Sequence, residues 1–320
     1  MMKKTMARFC ISIIAITCVA FSGSVAYTAP LKELNVSFVK APFNLPSIVS
    51  KKLGMLEEEF KADGIKVNYH EITSGAKQSQ AMAAGSLDVA NVINTTSVLI
   101  ANSAGNRIKI VGGYSRATGL FAIVAKDPAI KTVKDLKGKK IAGPKGTVLH
   151  QMLLVALNKE GMTGKDVEFV FMNIPDALTA LLAGSVDGAL LAASQMVKAE
   201  KAGGRVIATA QGLVVPLLTI AVPEDFLKKY PDIVKRYLKV HEKALKYLQE
   251  HTEEALKIGA EEDGIPIEEA RRLYQGTTFI TRLTKTDLDG IEQDQAFLIE
   301  NKMMKEKVDI STLIDPMAME

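Results

Sequence analysis

The sequence predicts an α/β protein made of two doubly wound lobes, which are joined by two crossovers and followed by C-terminal helices. Strand and helix patterns alternate along most of the chain, as in a mostly parallel sheet with right-handed crossovers. A seven-residue unit also occurs twice, as AGSLDVA at 84–90 and AGSVDGA at 183–189. In each copy a glycine ends a helix pattern, and the next apolar run is too short for another helix. The repeat therefore predicts one equivalent α/β unit in each lobe, with a cleft for a small molecule between them.

The first run of alternating patterns predicts a βαβαβαβ unit for the first lobe. Its predicted strands are residues 34–39, 65–70, 87–93 and 108–111. Its predicted helices are residues 45–60 with an interruption near Gly54, a helix from Ser74-Gly75 to residue 84, and residues 96–104. The strand at 65–70 alternates apolar and polar residues, so one of its faces is expected to meet water.

A second run of patterns begins with the continuous apolar segment at 119–125, which is predicted to be the strand that crosses into the second lobe. The predicted helices that follow are residues 133–138, 147–160, 175–183 and 194–202. The predicted strands are residues 140–142, 167–172 and 188–192, and strands at 205–208 and 213–222 bring the chain back. This run repeats the order of the first and predicts the second lobe.

The pattern changes to helices alone after Pro223. A stripe of apolar residues at a spacing of 3.6 runs from Val234 to Leu248, so a long amphipathic helix must pack on a folded surface. We expect the C-terminal helices to pack on the first lobe. The predicted organisation is a signal peptide at 1–26, lobe one at 27–118 and 223–320, and lobe two, with its crossovers, at 119–222.

Residues 1–26 are the predicted export signal. Three basic residues lie within the first eight positions, an apolar run of about a dozen residues follows at 9–21, and Ser-Val-Ala at 24–26 fits a signal-peptidase site. The run is shorter than the roughly 20 residues of a membrane-spanning helix, which disfavours an anchor. We therefore expect cleavage before Tyr27 and a periplasmic protein that does not span the membrane.

Composition excludes several classes of function. Three of the 40 basic residues lie in the signal, against 36 acidic residues elsewhere, so the mature chain is nearly neutral and gives no reason to expect nucleic acid as a partner. Cys10 and Cys18 also lie in the signal, which leaves no thiol for a disulfide, a nucleophile or a metal. The four histidines have neither metal-site nor nucleophile–base spacing. We expect no metal and no cofactor.

Three segments carry a family resemblance: VKDLKGKKIA at 133–142, Gly146-Thr147 with His150 four residues after the glycine, and AGSVD at 183–187. They resemble the periplasmic solute-binding proteins of ABC importers in the nitrate, sulfonate and taurine group, and the related Thi5-like pyrimidine binders share that fold. The resemblance implies a type II periplasmic-binding-protein fold and delivery of cargo to a membrane permease. Members often place Trp and Pro after the second strand of this motif, but residues 192–195 here read AASQ and the chain has no tryptophan.

The candidate ligand site lies in the loops that lead from strands into helices, because ligands of doubly wound sheets lie beyond the carboxyl ends of the strands. Four such loops are polar, at residues 40–44, 73–75, 94–96 and 143–147. The Gly-Thr pair at 146–147 opens a helix, where free amides and a hydroxyl form an anion site. The predicted ligand-binding residues are Phe43, Asn44, Ser74, Gly75, Thr95, Thr96, Tyr114, Gly146 and Thr147.

Structural alternatives remain open for several of these residues. Thr147 also fits a simple N-cap, and the rings of Phe43 and Tyr114 fit core packing as well as they fit a cover over an organic ligand. His150 lies one turn inside the helix, where it either contacts ligand or is a structural histidine. The equivalent positions of Asp88 and Asp187 favour turn capping over an acid–base pair.

Two classes of function follow. The first is an extracytoplasmic binding protein, expected to be a monomer, that captures a small anionic or zwitterionic organic solute such as a sulfonate, taurine or nitrate and presents it to an ABC permease. The alternative cargo is a thiamine-precursor pyrimidine, which would demand stacking rings, and aromatic residues are only 6% of the chain. The second class is a Thi5-like enzyme. A cysteine-rich motif marks that enzyme group, and the mature chain has no cysteine.

Overall fold

The computed structural model describes residues 30–39 and 43–319. The strands are β1 (Glu33–Phe38), β2 (Lys66–Glu71), β3 (Ala90–Asn94), β4 (Ile108–Arg116), β5 (Phe121–Ala125), β6 (Lys140–Gly143), β7 (Glu168–Phe171), β8 (Gly188–Ala192), β9 (Arg205–Thr209), β10 (Leu217–Pro223) and β11 (Thr278–Phe279). The helices are α1 (Leu45–Lys52), α2 (Met55–Phe60), α3 (Gly75–Ala83), α4 (Thr95–Ser103), α5 (Val148–Lys159), α6 (Ile174–Leu182), α7 (Ser194–Lys201), α8 (Glu224–Lys229), α9 (Pro231–Glu250), α10 (Thr252–Asp263), α11 (Ile267–Gln275), α12 (Lys285–Glu300) and α13 (Ile310–Leu313). The predicted export signal lies outside the described residues, and no described helix is both long and apolar enough to cross a membrane.

The first group of strands is mixed rather than mostly parallel. Strands β1 and β2 run parallel, and the Val36–Val89 bridge links β1 to the segment that enters β3. The returning strand β10 lies between β3 and β4 and is antiparallel to both. The prediction of a mostly parallel sheet was therefore wrong at β10. Strands buried on both faces are apolar throughout, so their sequences do not reveal their neighbours or directions.

The second sheet, β7-β6-β8-β5-β9, follows the same scheme. Strands β7, β6 and β8 run parallel, whereas β5 is antiparallel to β8 and β9. In each group of strands, therefore, one strand next to a crossover, β10 or β5, runs antiparallel to both of its neighbours. The chain crosses between the sheets twice, after β4 and after β9, as the sequence predicted.

The repeated segment forms the same structure in both sheets. Gly85 and Gly184 have φ angles of +70° and +72°, and each ends its helix in the left-handed conformation. Asp88 then accepts a 2.8 Å hydrogen bond from the backbone N–H of Asn35 in β1, and Asp187 accepts a 2.8 Å bond from that of Lys140 in β6. The two aspartates therefore fasten each repeat to a neighbouring parallel strand, β1 or β6, which agrees with a structural role for both.

The C-terminal helices pack mainly on the helices of the first group of strands. Helix α9 packs on α1 and α2, α10 packs on α1, and α12 packs on α4. Helix α11 also reaches α7, where Lys201 forms a 2.6 Å ion pair with the buried Glu269. The expectation of helices alone after Pro223 was wrong at β11, a two-residue strand that pairs with the edge of β4. Its pairing partner is remote in sequence, so local periodicity could not reveal it.

Candidate functional site

Helices α1, α3, α4 and α5 begin in the predicted ligand-binding loops. In three of them the N-cap side chain makes no capping hydrogen bond. The N-cap residues of α1, α3 and α5 are Asn44, Ser74 and Thr147, and none of these side chains makes a capping hydrogen bond. Helix α4 differs, because the Asn94 side chain accepts a 2.8 Å bond from the Ser97 N–H. The first amides of an α-helix have no partner inside the helix, so an uncapped start retains donors for an anion.

The start of α4 meets the start of α5 between the two sheets. The buried Thr96 donates a 3.0 Å hydrogen bond from Oγ1 to Oε1 of Gln151, which lies one turn after Thr147. On the same side, a Cβ placed on Gly146 would lie 3.7 Å from Cδ1 of Ile100 in α4. The structure therefore brings three of the predicted residues, Thr96, Gly146 and Thr147, into one neighbourhood.

The first turn of α3 packs on the first turn of α4, where Gly75 lies against Ser97 and Asn94. A Cβ on Gly75 would lie only 2.5 Å from Oγ of Ser97, so the close approach requires glycine. The buried Ser97 hydroxyl has no hydrogen-bond partner within the described part of the chain. An unpaired buried hydroxyl beside two helix starts is a further polar group that a ligand could satisfy.

The hydroxyl and amide at the start of α5 already have partners inside the protein. Thr147 donates its hydroxyl proton to the Pro144 carbonyl at 2.9 Å, and the Gly146 N–H points to Nδ1 of His150 at 3.4 Å. Gly146 has a φ angle of +71°, a conformation that favours glycine at this turn. The donors left for an anion are therefore the amides of the first helical turn, and the Thr147 oxygen retains a lone pair.

His150 packs as a neutral structural group. Its ring stacks on Phe169 with the centroids 4.4 Å apart. Burial, with a smaller contribution from the charge of Lys145, lowers the pKa of His150 to about 4. The imidazole is therefore uncharged near neutral pH and supplies no positive charge to an anion.

The two predicted aromatic residues are buried, each in a different hydrophobic cluster. Tyr114 is fully buried, its hydroxyl lies 2.6 Å from Oγ of Ser47, and its ring stacks on His241 with a centroid distance of 5.1 Å. Phe43 is 2% exposed, and its ring edge would lie 2.6 Å from a Cβ on Gly259 of α10. These packing contacts occupy much of both rings. The neighbouring residues 40–42 of the first predicted loop lie outside the described residues.

Asn44 holds the end of β1 against the start of α1. Its amide nitrogen donates a 2.7 Å hydrogen bond to the Val39 carbonyl, and the side chain is 1% exposed. This bond fixes the turn that carries Phe43, and the Ser47 N–H in the first turn of α1 donates to the Tyr114 hydroxyl at 3.3 Å.

Sequence reasoning missed three features of this region. Gln151 was missed because it lies in the apolar run of α5, although a polar glutamine at that place was the available signal. Ser97 gave no signal. Ala193, at the turn from β8 into α7, has a φ angle of +47°. Such a conformation is strained for a residue with a side chain and often occurs at functional turns.

No metal centre is visible at this site or elsewhere in residues 30–39 and 43–319, which contain no group of three or more His, Cys, Asp or Glu side chains that could hold an ion.

The amino-acid sequence is similar to those of several binding proteins. One relative, the putative aliphatic sulfonates-binding protein of Bacillus subtilis (strain 168), is 27% identical over 292 residues, which cover 89% of this chain and 86% of the relative. The taurine-binding periplasmic protein of Escherichia coli (strain K12) is 30% identical over 183 residues and 56% of each chain. Both relatives are named as binding proteins and not as enzymes, in agreement with the expectation that this protein is not an enzyme.

Similarity in structure supports the fold. The alkanesulfonate-binding protein SsuA from Xanthomonas axonopodis pv. citri, solved with MOPS bound, superposes with a TM-score of 0.82 at 21% identity, covering 90% of this chain and 99% of that one. The aliphatic sulphonate-binding protein SsuA of Escherichia coli superposes with a TM-score of 0.76 at 22% identity, covering 88% and 97%. The chain has the periplasmic-binding-protein fold that the resemblance implied. A family model described as NMT1/THI5 like matches residues 51–255, more than half of the sequence, and the chain therefore belongs to the NMT1/THI5-like family.

Proposed function

We propose that this protein is an extracytoplasmic solute-binding protein that captures a small organic sulfonate or a similar anionic or zwitterionic solute. The solute would bind in a cleft between lobe one, residues 27–118 and 223–320, and lobe two, residues 119–222. The loaded protein, acting as a monomer in the periplasm, would then deliver its cargo to an ABC permease. The names of its relatives, aliphatic sulfonates-binding and taurine-binding, support this class of solute.

The observation that carries the proposal is the approach of α4 to α5 from opposite sheets. Thr96 in the first turn of α4 is hydrogen-bonded to Gln151 of α5, and Gly146 before α5 lies next to Ile100 of α4. Two helix starts on different lobes can hold one anion from both sides. Closure of the lobes on the ligand would then assemble the site.

Backbone amides would be the main donors. The starts of α3 and α5 have no side-chain cap, and the Ser97 hydroxyl is buried without a partner among the described residues. A sulfonate has three acceptor oxygens and a delocalised charge, so several neutral donors satisfy it without a buried counter-charge. The other predicted ligand-binding residues remain predictions: Phe43, Asn44, Ser74, Gly75, Thr95 and Tyr114.

A pyrimidine cargo is less well supported. It would require exposed aromatic faces for stacking, whereas Tyr114 stacks on His241 and Phe43 packs against α10. The names of the relatives also favour sulfonates over pyrimidines.

A thermal-shift screen tests the proposal. The panel contains taurine, hexanesulfonate, nitrate, hexanoate and an aminopyrimidine, each added to the mature protein. A ligand at 100 times its Kd adds about 2.7 kcal/mol to the unfolding free energy. We expect a sulfonate to raise Tm and the aminopyrimidine to leave it unchanged. A response to the aminopyrimidine alone would contradict the proposal.

A further inference from the structure

A separate cavity of about 480 Å³ lies beside the second crossover. Its walls come from α5, α12, the end of β4 and the segment 211–217 that leads into β10, and we call it the crossover pocket. None of the predicted ligand-binding residues lines it. Its volume is in the range of small-molecule sites.

Most of the pocket wall is apolar. Val155 of α5 faces it, together with Leu213 and Leu217 of the crossover segment and Ile291 and Phe297 of α12. This wall favours a ligand with a hydrocarbon body.

The positive charge in the wall is already neutralised. Arg116 donates from Nε to Oδ1 of Asp287 at 2.7 Å, and a second guanidinium nitrogen bonds Oδ2. Thr284 donates two further bonds of 2.8 Å to Asp287, one from its N–H and one from its hydroxyl. This closed ion pair leaves no net positive charge to attract an anionic ligand.

One carboxylate in the wall lacks a cation. Asp294 accepts a 2.6 Å hydrogen bond from Nε2 of Gln151, and it forms no ion pair with any described residue. Burial raises the pKa of Asp294 to about 6, because the ionised form is poorly solvated there. Near neutral pH the pocket therefore contains one poorly solvated negative charge, which a cation would stabilise.

We propose that the crossover pocket is a second ligand site, for a small organic ammonium ion whose apolar body contacts the hydrocarbon wall and whose ammonium group binds Asp294. The charge sign distinguishes this site from the proposed sulfonate site. An anion would be repelled by the unpaired carboxylate, and a neutral ligand would leave it without a cation.

The test uses benzylammonium as the probe, measured by calorimetric titration of the mature protein at neutral pH. Benzyl alcohol and benzoate are the neutral and anionic probes of matched shape. We expect benzylammonium to bind more tightly than either. Ligands of this kind bind with a Kd of about 1 mM when they bind weakly, so a titration to about 10 mM would detect such binding. The proposal is overturned if no binding of benzylammonium is seen up to that concentration, or if benzyl alcohol binds equally well.

Two variants test the anchor. Asp294→Asn keeps the shape and removes the charge, and we expect it to weaken benzylammonium about tenfold or more, as for loss of a charged hydrogen bond. Asp289→Asn removes an exposed charge from the same helix and is the matched control, with no expected effect. Equal affinities of the two variants would overturn the assignment.

A filling variant keeps the test decisive if Asp294→Asn folds poorly. Val155→Phe places a ring in the pocket and leaves Asp294 intact, so it should abolish binding of benzylammonium. Unchanged binding to Val155→Phe would place the probe elsewhere and overturn the proposal. Thermal shifts with taurine, measured in parallel, report on the sulfonate site independently.

Discussion

The Thr96 hydroxyl and the Gln151 side chain form a 3.0 Å hydrogen bond that joins the first turn of α4 to α5. The same glutamine donates to Asp294 of α12 at 2.6 Å, so one buried side chain links three helices. Because α4 follows a strand of the first sheet and α5 follows a strand of the second, this chain of bonds connects the two halves of the molecule.

Replacement of Gln151 by leucine should lower the unfolding free energy. The substitution keeps the volume but leaves the Thr96 hydroxyl and the Asp294 carboxylate without their shared partner, which costs about 1–3 kcal/mol. Urea denaturation measures the loss. Gln249→Leu, an exposed change on α9, is the control and should have little effect. A loss for Gln151→Leu no larger than for the control would show that the bridge contributes nothing.

Replacement of Asp294 by asparagine should stabilise the protein, and the size of this gain should depend on pH. The pKa of Asp294 rises from 3.8 in the unfolded chain to about 6 in the fold, so the native state holds the proton more strongly. This carboxyl therefore makes the wild type progressively less stable as the pH rises from about 4 to 6, by up to about 3 kcal/mol. Asparagine can still accept the bond from Gln151.

Melting temperatures of both proteins between pH 4 and neutral pH test this linkage. Asp294→Asn should melt well above the wild type at neutral pH and close to it near pH 4. A constant difference across that range, or a larger difference at low pH, would contradict the linkage.

Two glycine-to-alanine changes in helix interiors should have opposite effects on stability. A Cβ on Gly259 would lie 2.6 Å from atoms of both Leu45 and Phe43, so Gly259→Ala forces buried side chains apart and should cost about 1–3 kcal/mol. A Cβ on Gly290 meets nothing within 4 Å, and Gly290→Ala should gain about 0.5–1 kcal/mol of helix stability. Urea denaturation of the two variants measures both changes in unfolding free energy. A stabilising Gly259→Ala would contradict the prediction, because it would show that the core around Phe43 has room for the added methyl group.

Much of the fold could be predicted from local sequence signals. The helix ends at Gly85 and Gly184 require positive φ, and both glycines adopt it. The apolar run at 188–192 is a strand over the predicted residues. The break near Gly54 separates α1 from α2, as the sequence indicated. These features depend on residues close together in the chain, which is why periodicity and turn chemistry reveal them.

Features that depend on distant residues could not be predicted. Strand β10 pairs with both β3 and β4, but nothing in its apolar sequence distinguishes that position from an edge. Likewise, the sequence placed a hydroxyl and a glycine at the start of α5, and only the structure showed that Thr147 bonds Pro144. A partner on another element leaves no periodic trace in the sequence.

Binding of a sulfonate should make the molecule more compact. If two lobes close on the ligand, the radius of gyration from small-angle X-ray scattering falls when the sulfonate identified by the screen is added. The protein without ligand and the protein with benzylammonium are the references. Tight sulfonate binding with an unchanged radius would contradict closure of the lobes.

The most direct test of the account is calorimetric titration of Thr147 variants with that sulfonate. Thr147→Asp puts a carboxylate where the helix dipole tolerates a negative charge, so the fold should persist while an anion is repelled, with affinity falling about tenfold or more. Thr147→Ser keeps the hydroxyl that bonds Pro144 and should bind within a few-fold of the wild type. Melting temperatures confirm that both variants are folded. We predict that Thr147→Asp loses sulfonate binding and Thr147→Ser keeps it; a folded Thr147→Asp that binds as tightly as the wild type would contradict an anion site at the start of α5.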